Sequence, residues 1–314
     1  MQPDAANINS HASSDSTRIL YKYRSINKWT EELIANKSIW LAKPETLNDP
    51  LECQIKLIPP QEMRKHVREV KNAQVSGFMM GVFMAQDSGT SFYGRTKKQL
   101  KYLLKKIKAA DGFNKKYEII CDFHREVGVP GFSCPEGYFN SLSNLLNEVG
   151  VFSLSENPVS TLMWSHYGEC HRGIALGFSA VPGSDLADNE NCRKVIYSDE
   201  LSEFSFENGF SASTAFYHNS RPKSNISFDD TQVQRIVFTK TNDWAYEMEW
   251  RYVKKNAGPY DLPAPITEVI FGAKCPVETR EKYRVLISSS LGEKIKFREA
   301  VFLPGTTTIK IKDC

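Results

Sequence analysis

The sequence predicts an α+β fold, and three observations lead to that class. Many short segments are β-like, and only a few helices are mixed with them. Helical periodicity is concentrated in one block, residues 59–149, where strand signal is nearly absent. The other helices do not alternate strictly with strands, as they would in a doubly wound α/β protein. We therefore expect a core of mixed strands interrupted by a helical insertion.

Composition predicts an ordinary globular protein. The 314 residues are 41% hydrophobic and 25% charged, and no apolar run approaches the length of about 20 residues that a membrane span needs. The polar residues 1–17 lack the features of a signal peptide and predict a disordered tail. The seven cysteines are scattered without a C-x-x-C pair, which favours a reducing, cytoplasmic location.

The first part of the core is predicted to form a strand, a helix, a strand, a turn and an extended segment. These elements cover residues 18–24, 25–37, 38–42, 44–50 and 51–58 in that order. Ser25 is the predicted helix cap, and the apolar stripe of the helix consists of Ile26, Trp29, Leu33 and Ile34.

The block 59–149 is predicted to be a helical insertion or subdomain with four helices, at residues 61–86, 96–110, 113–127 and 138–149. Between Arg95 and Lys116 it carries nine Lys or Arg and one acid, Asp111. Such a basic helix either lies along nucleic-acid phosphates or is a solvated face. Both interpretations stay open.

Residues 150–314 are predicted to complete the α+β core that residues 18–58 begin. Strands are expected at 151–155, 172–178, 193–198, 246–253, 266–272, 294–302 and 306–312, and helices at 160–167 and 277–290. Residues 198–230 are rich in loop signals.

The segment YEMEWRY, residues 246–252, is the most informative one for function. On a strand, Glu247, Glu249 and Arg251 share one face, and the other face is large and apolar. The two carboxylates would then lie roughly 7 Å apart. Like charges held side by side are costly unless a ligand or partner uses them, so we predict a site here.

Other familiar chemistries lack their motifs. The sequence has no glycine-rich dinucleotide or P-loop pattern and no G-x-S-x-G elbow. His166, Cys170 and His171 are too few ligands on one short turn to predict a metal site. His166 and Tyr167 either line a cleft or end a helix at Gly168. Asp49 and Glu52 are further candidate carboxylates.

The motifs LYKYR, LNDPLE, GVFSLS, MWSHYG-x-x-HRGIALGF, W-x-YE-x-EWR and EVIFG resemble a widespread bacterial family known as a domain of unknown function, family 2971. The resemblance covers roughly residues 18–58 and 150–312 in order. It implies no activity.

The order of Arg24, a serine-bearing strand and Glu247-x-Glu249 is similar to the Arg–Ser–Glu layout of ADP-ribosyltransferases. That resemblance implies a mixed, split β-sheet and NAD as substrate. It implies that Arg24 holds the NAD phosphates or ribose and that Ser153 or Ser155 shapes the nicotinamide cleft. It further implies that Glu249 contacts the ribose and that Glu247 tunes the acceptor. Here the usual Ser-Thr-Ser triplet is Ser-Leu-Ser.

The residue types fit that chemistry. A fixed carboxylate stabilises the positive charge that develops on ribose as the glycosidic bond breaks, and a second one takes a proton from the nucleophile. Tyr23 or Tyr167 could stack on nicotinamide or adenine, and Arg24 or Arg251 could neutralise the pyrophosphate.

Three functional hypotheses follow. The leading one is an ADP-ribosyltransferase-like enzyme that modifies a macromolecule, with nucleic acid slightly favoured over protein through the basic block; such bacterial enzymes serve as toxins or anti-phage effectors, sometimes with an inhibitory partner protein. The second is a metal-dependent nuclease with Asp49, Glu52, Glu247 and Glu249 around Mg²⁺ and Lys240 beside the phosphate. The third is a binding module in which the charges form a structural ladder.

Overall fold

The computed structural model of the protein describes residues 17–128, 136–205, 208–215 and 223–314. All but the last residue of the predicted tail, 1–17, lie outside these ranges. The described residues combine a large mixed sheet with helices, which confirms the predicted α+β class. Among them, no helix has the length and apolarity needed to cross a membrane.

The strands are β1 (Ile19–Arg24), β2 (Ser38–Leu41), β3 (Gly150–Ser155), β4 (Ile174–Ser179), β5 (Cys192–Lys194), β6 (Ile196–Tyr197), β7 (Ala212–Ala215), β8 (Lys223–Ile226), β9 (Thr239–Lys240), β10 (Glu249–Lys254), β11 (Gly258–Asp261), β12 (Ile266–Phe271), β13 (Lys296–Phe302) and β14 (Ile309–Asp313). The helices are α1 (Lys28–Asn36), α2 (Pro60–Ser88), α3 (Lys97–Ala109), α4 (Phe113–Glu126), α5 (Glu136–Glu148), α6 (Thr161–His166), α7 (Thr231–Val237) and α8 (Val277–Leu291). Short 3-10 helices cover Pro44–Thr46 and Asn242–Glu247.

The main sheet has eight strands in the order β14-β13-β12-β4-β1-β3-β10-β5. Strands β12 and β13 are parallel, and the other neighbours are antiparallel. Strand β1 pairs with β4 along its whole length, whereas its register with β3 is the single pair Tyr21 and Ser155. Beyond that pair the two central strands separate, and this gap positions the candidate site.

Apolar burial is divided among several clusters. One face of the sheet packs against α1 and α8 through residues such as Leu20, Leu33, Phe178, Tyr283 and Ile287. Helices α5 and α7 pack on a second part of the core through Leu142, Leu146, Val233, Ile236 and Val253. Helices α2, α3 and α4 have a cluster of their own that includes Val75, Phe78, Leu100, Ile107 and Phe123. Helix α5 therefore packs against the α+β core, whereas α2, α3 and α4, which precede it in the sequence, pack against one another.

The predicted first helix begins later than expected. Asn27, not Ser25, caps α1, because its side-chain oxygen accepts a hydrogen bond of 3.0 Å from the Thr30 amide. Leu33 and Ile34 are buried as predicted, but Trp29 is 59% exposed. The buried face of α1 is therefore narrower than the predicted apolar stripe, because it does not include Trp29.

Several strand predictions were wrong in detail. Residues 51–58 form turns with an isolated bridge at Ile55 instead of a strand. The expected strand 193–198 is divided between β5 and β6, which belong to different sheets. Strand β11 was not predicted; its sequence, GPYD, contains the glycine and proline that normally mark a turn.

Candidate functional site

A cavity of about 260 Å³ lies where β1 and β3 separate. Its walls come from β1, the turn after β2, β3, α6 and the segment from β9 to β10. The polar side chains that line it are Tyr21, Lys22, Tyr23, Thr46, Asn48, Ser153, Ser155, Tyr167, Lys240, Glu247 and Glu249.

The two glutamates reach the cavity differently from the prediction. Glu247 ends a 3-10 helix and strand β10 begins at Glu249, so the expected continuous strand 246–253 is wrong in its first part. Met248 between them has a left-handed backbone, with φ of 46°. This turn lets both carboxylates enter the same buried region, where Glu247 is 4% and Glu249 1% exposed.

The Lys240 ammonium joins three carboxylates that come from different parts of the chain. Its Nζ lies 3.0 Å from Glu52, 2.7 Å from Glu247 and 3.2 Å from Glu249. Burial alone would lower the pKa of Lys240, but the attraction of the three carboxylates outweighs it and raises the pKa. Lys240 therefore stays charged and holds the acids together.

Arg251 is the second cation of this cluster and is fully buried. Its guanidinium donates to Glu249 Oε1 at 2.9 Å, to Glu52 Oε2 at 2.6 Å and to the Val237 carbonyl at 2.6 Å. These partners occupy the guanidinium, and Arg251 does not line the cavity. From the sequence, Arg251 was a candidate to neutralise the NAD pyrophosphate. Its role in this geometry is to hold Glu249 and Glu52.

The cluster separates the pKa values of its acids. Burial opposes ionisation of Glu249, but Arg251 and then Lys240 outweigh burial and lower the pKa of Glu249 to about 2. For Glu52, burial outweighs the attraction of Arg251, so the pKa of Glu52 is raised. Glu249 is thus a cavity-lining carboxylate that stays ionised at neutral pH.

Glu247 is held in a way that leaves it at the cavity surface. The Tyr167 hydroxyl donates to Glu247 Oε1 at 2.5 Å, and Asn48 donates in turn to the Tyr167 oxygen. Ser155 Oγ donates to the Glu247 backbone carbonyl at 2.6 Å. Burial, followed by the hydrogen bond to Glu247, raises the pKa of Tyr167, so that Tyr167 remains a donor.

Lys22 is a site residue that sequence analysis missed. Its Nζ donates to the Ser153 carbonyl at 2.8 Å across the gap between β1 and β3. Burial, and then repulsion by Arg24, lowers the pKa of Lys22 to about 8, although Glu249 and Glu247 attract its charge. A lysine in the middle of the otherwise apolar and aromatic strand LYKYR was the signal that could have identified it.

The other cavity residues of β1 and β3 use their polar atoms within the protein. The Tyr23 hydroxyl donates to the Asn157 carbonyl at 2.6 Å, and the Tyr21 hydroxyl donates to Glu268 at 2.6 Å. The Ser153 side chain hydrogen-bonds to Glu249. These tyrosines therefore offer ring surface, not free hydroxyls, to a ligand.

Arg24 and His166 do not belong to the cavity wall. Arg24 is the last residue of β1, and its guanidinium donates to Thr30 Oγ1 of helix α1 at 3.2 Å. Arg24, to which the resemblance gave the NAD phosphates or ribose, therefore does not line the cavity that contains Glu249. His166 is exposed at the end of α6, with its ring 6.2 Å from the Tyr246 ring.

The carboxylates proposed for a nuclease surround a lysine. Glu52, Glu247 and Glu249 converge on Lys240 Nζ, and Asp49 accepts hydrogen bonds from the Leu51 amide and Thr241 Oγ1. Across the described ranges, no group of three His, Cys, Asp or Glu side chains is arranged to hold a metal ion. This geometry does not favour the nuclease hypothesis.

Residues 163–252 match the model of a family described as "Protein of unknown function (DUF2971)". The matched range begins in α6 and ends within β10, so it includes Tyr167, Lys240, Glu247, Glu249 and Arg251. No curated protein and no solved structure matches the chain. The family resemblance therefore covers one wall of the cavity and names no chemistry.

Proposed function

We propose that this chain is an NAD-consuming, ADP-ribosyltransferase-like enzyme that transfers ADP-ribose to a macromolecular acceptor. One observation carries the proposal. Glu247 lies on the wall of a cavity between two separating strands, held by Tyr167 and Lys240, and the same cavity contains the amine of Lys22. NAD cleavage needs a fixed carboxylate to stabilise the positive charge on the ribose and a cation to neutralise the pyrophosphate, and this cavity contains both types of group.

The size of the cavity suits part of NAD. Its volume of about 260 Å³ is slightly below the usual range of small-molecule sites, roughly 300–1,000 Å³. We therefore place the nicotinamide and its ribose inside and the pyrophosphate and adenosine towards the opening. The rings of Tyr21 and Tyr23 offer surface to the nicotinamide, and Lys22 replaces Arg24 as the cation for the pyrophosphate.

The proposed reaction breaks the bond between ribose C1′ and the nicotinamide nitrogen, and the bonding electrons leave with neutral nicotinamide. A nucleophilic oxygen or nitrogen of the acceptor forms the new bond to C1′ and loses its proton. Glu247 stabilises the positive charge on the ribose as the bond breaks and accepts that proton. With water as acceptor, the products are ADP-ribose, nicotinamide and a proton.

In this proposal Glu249 is a positioning residue. Glu249 contacts Arg251 through both oxygens and also contacts Lys240 and the Ser153 side chain, whereas each Glu247 oxygen has one partner, Tyr167 or Lys240. Glu249 therefore has less capacity than Glu247 to bind a ligand. Its fixed charge holds Lys240, and Lys240 in turn orients Glu247. Glu247 thus takes the ribose contact that the resemblance implied for Glu249 and keeps its own role towards the acceptor.

The acceptor in this proposal is a macromolecule, with nucleic acid ahead of protein. A role as toxin or anti-phage effector, silenced by a partner protein that covers the cavity, extends the same proposal.

The test is to incubate the full-length protein with NAD labelled in the adenylate phosphate, together with pooled cellular RNA, DNA and protein. We expect label in one acceptor fraction and release of free nicotinamide. Glu247→Gln keeps the size of the side chain and a hydrogen-bond acceptor for Tyr167, so we expect it to fold and to lose at least 100-fold in rate, the scale of one lost electrostatic or acid–base contribution.

Glu299→Gln is the matched control. Glu299 lies on β13, does not line the cavity, and is also an ion-paired carboxylate, bound to Arg280 of α8. It should keep wild-type activity. If wild-type protein neither binds NAD nor releases nicotinamide with any of the acceptor pools, the proposal is overturned. Unchanged turnover in Glu247→Gln would remove the assigned role of that residue.

A further inference from the structure

The charge of this chain is divided unevenly. Residues 95–116 hold nine basic and one acidic side chain, a net charge of +8, while the whole chain carries +3. The rest of the chain is therefore at −5. A protein that is acidic elsewhere and basic in one short segment presents a localised positive field, which differs from a generally basic composition.

Helix α3 places this charge on one side. Its buried residues, Leu100 and Ile107, pack into the cluster shared with α2 and α4. At about 100° per residue, its six lysines are distributed over roughly half of the helix circumference, facing away from those two. All six are exposed: Lys97, Lys98, Lys101, Lys105, Lys106 and Lys108.

These lysines have no ion-pair partner anywhere in the described ranges, whereas several lysines elsewhere do. Lys43, Lys194, Lys254 and Lys282 each contact a carboxylate at 2.5–3.1 Å. An unpaired row of like charges destabilises its own helix slightly, since lysines three or four positions apart repel each other. A polyanionic partner would remove that repulsion.

An exposed aromatic side chain lies within the lysine face. Tyr102 is 71% exposed, and Lys98, Lys105 and Lys106 are its neighbours at spacings of four, three and four residues. Nucleic-acid bases stack on aromatic rings of this kind in proteins that bind single strands, while lysines follow the phosphates. A solvated face would need no such ring.

The length of the face also fits a nucleic-acid backbone. Lys97 and Lys108 are eleven residues apart in sequence, or about 16 Å along the helix axis, a distance that covers on the order of five phosphates of one strand. A membrane surface fits less well, because the apolar side of α3 is already packed against α2 and α4.

We infer that the lysine face of α3, with Tyr102 at its centre, is a binding surface for single-stranded nucleic acid. The lysines neutralise successive phosphates and Tyr102 stacks on an unpaired base. This inference does not depend on NAD chemistry, because binding is measured without NAD.

The test measures binding of fluorescent 20-nucleotide single-stranded RNA and DNA to the full-length protein between 50 and 200 mM salt. About five to six phosphate contacts predict a slope of about −4 for log affinity against log salt. The variant with Lys98, Lys101, Lys105 and Lys106 all changed to Gln should retain a slope of about −1.4. Tyr102→Ala should weaken binding about fivefold or more without changing the slope.

The matched control changes four exposed lysines elsewhere, Lys255, Lys294, Lys296 and Lys310, to Gln, so that net charge falls equally. We expect it to bind as the wild type does. The inference is overturned if wild-type protein binds neither strand at 50 mM salt, or if the control weakens as much as the α3 variant. Equal affinity for polyglutamate, or duplex preference without a Tyr102 effect, would exclude a single-strand site.

Discussion

At the scale of single residues, the cavity depends on how this protein keeps three carboxylates inside. Taking charges out of water costs several kcal/mol for each ion unless the partners are close and well oriented. Lys240 and Arg251 supply that compensation, with contacts of 2.6–3.2 Å to Glu52, Glu247 and Glu249. The same contacts fix the position of Glu247, so stability and the proposed chemistry share one set of side chains.

We predict that Lys240→Met destabilises the protein by about 3–5 kcal/mol, because it leaves three buried acids without a shared partner. Urea unfolding measures this change. Lys194→Met is the control: Lys194 also contacts a glutamate, Glu156, but is 51% exposed, and an exposed pair contributes about 0–1 kcal/mol. Equal losses in the two variants would contradict the structural role given to Lys240.

Lys22 gives a pH-dependent prediction. Its pKa is lowered to about 8, mainly by burial, so the amine is charged below pH 8 and neutral above it. If Lys22 binds the NAD pyrophosphate, affinity for ADP-ribose should fall about tenfold between pH 7 and pH 9, following the charged fraction of the amine.

Calorimetric titration of ADP-ribose measures that dependence. Lys22→Arg is the control, because a guanidinium stays charged throughout this range. The variant should show a nearly flat profile between pH 7 and pH 9. A wild-type profile as flat as that of the variant would rule out Lys22 as the phosphate ligand.

At the scale of elements, the turn at Met248 determines how Glu247 and Glu249, on either side of it, are placed in the cavity. The 3-10 helix ends at Glu247 and the strand begins at Glu249, with φ of 46° at the residue between them. A continuous strand would have placed Glu247 and Glu249 on one pleated face. The left-handed residue instead lets the two acids approach Lys240 from different directions.

We predict that Met248→Val destabilises the protein by about 1–2 kcal/mol, since a β-branched residue is disfavoured in the left-handed region. Met248→Asn should be tolerated, because Asn adopts this conformation more readily than other residues with a Cβ. Thermal unfolding of both variants checks the pair. The side chain is 37% exposed, so loss of packing is a small part of either effect. Equal stability of the two variants would contradict this account.

At the scale of the whole molecule, helices α2, α3 and α4 pack on a cluster separate from those that the sheet buries. Phe78 is central to that cluster, with ring contacts to Phe92 and Phe123 at 5.5 and 5.4 Å. Phe178, by contrast, belongs to the cluster between the sheet and α1 and α8. Substitutions in one of these two apolar cores should therefore destabilise that core without unfolding the other.

We predict that Phe78→Ala lowers the free energy of unfolding of the α2–α4 cluster by about 3–5 kcal/mol and leaves that of the sheet unchanged. Limited proteolysis followed by mass spectrometry should then show new cuts within residues 60–126 while the sheet stays protected. Phe178→Ala should instead expose the sheet. If Phe78→Ala opens both regions together, the helices and the sheet unfold as one cooperative unit and the distinction is wrong.

Prediction from sequence succeeded where the signal was local. Strands β1, β3 and β4 lie where short β-like runs of residues predicted them, and helices α2 to α4 follow their own apolar periodicity. It failed where one residue breaks a pattern. Met248 interrupts a segment that alternates well, and Asn27 caps α1 two residues after the expected Ser25.

By itself, the sequence determined the α+β class, the helical block, the basic stretch of α3 and the presence of two acids near the start of β10, because each follows from periodicity or composition over a few residues. Only the tertiary structure decided that Lys240 joins those acids to Glu52, that Arg24 points away and that Lys22 reaches the cavity. The physical reason is that a buried charge requires compensating partners, and the fold brings these together from segments far apart in the chain.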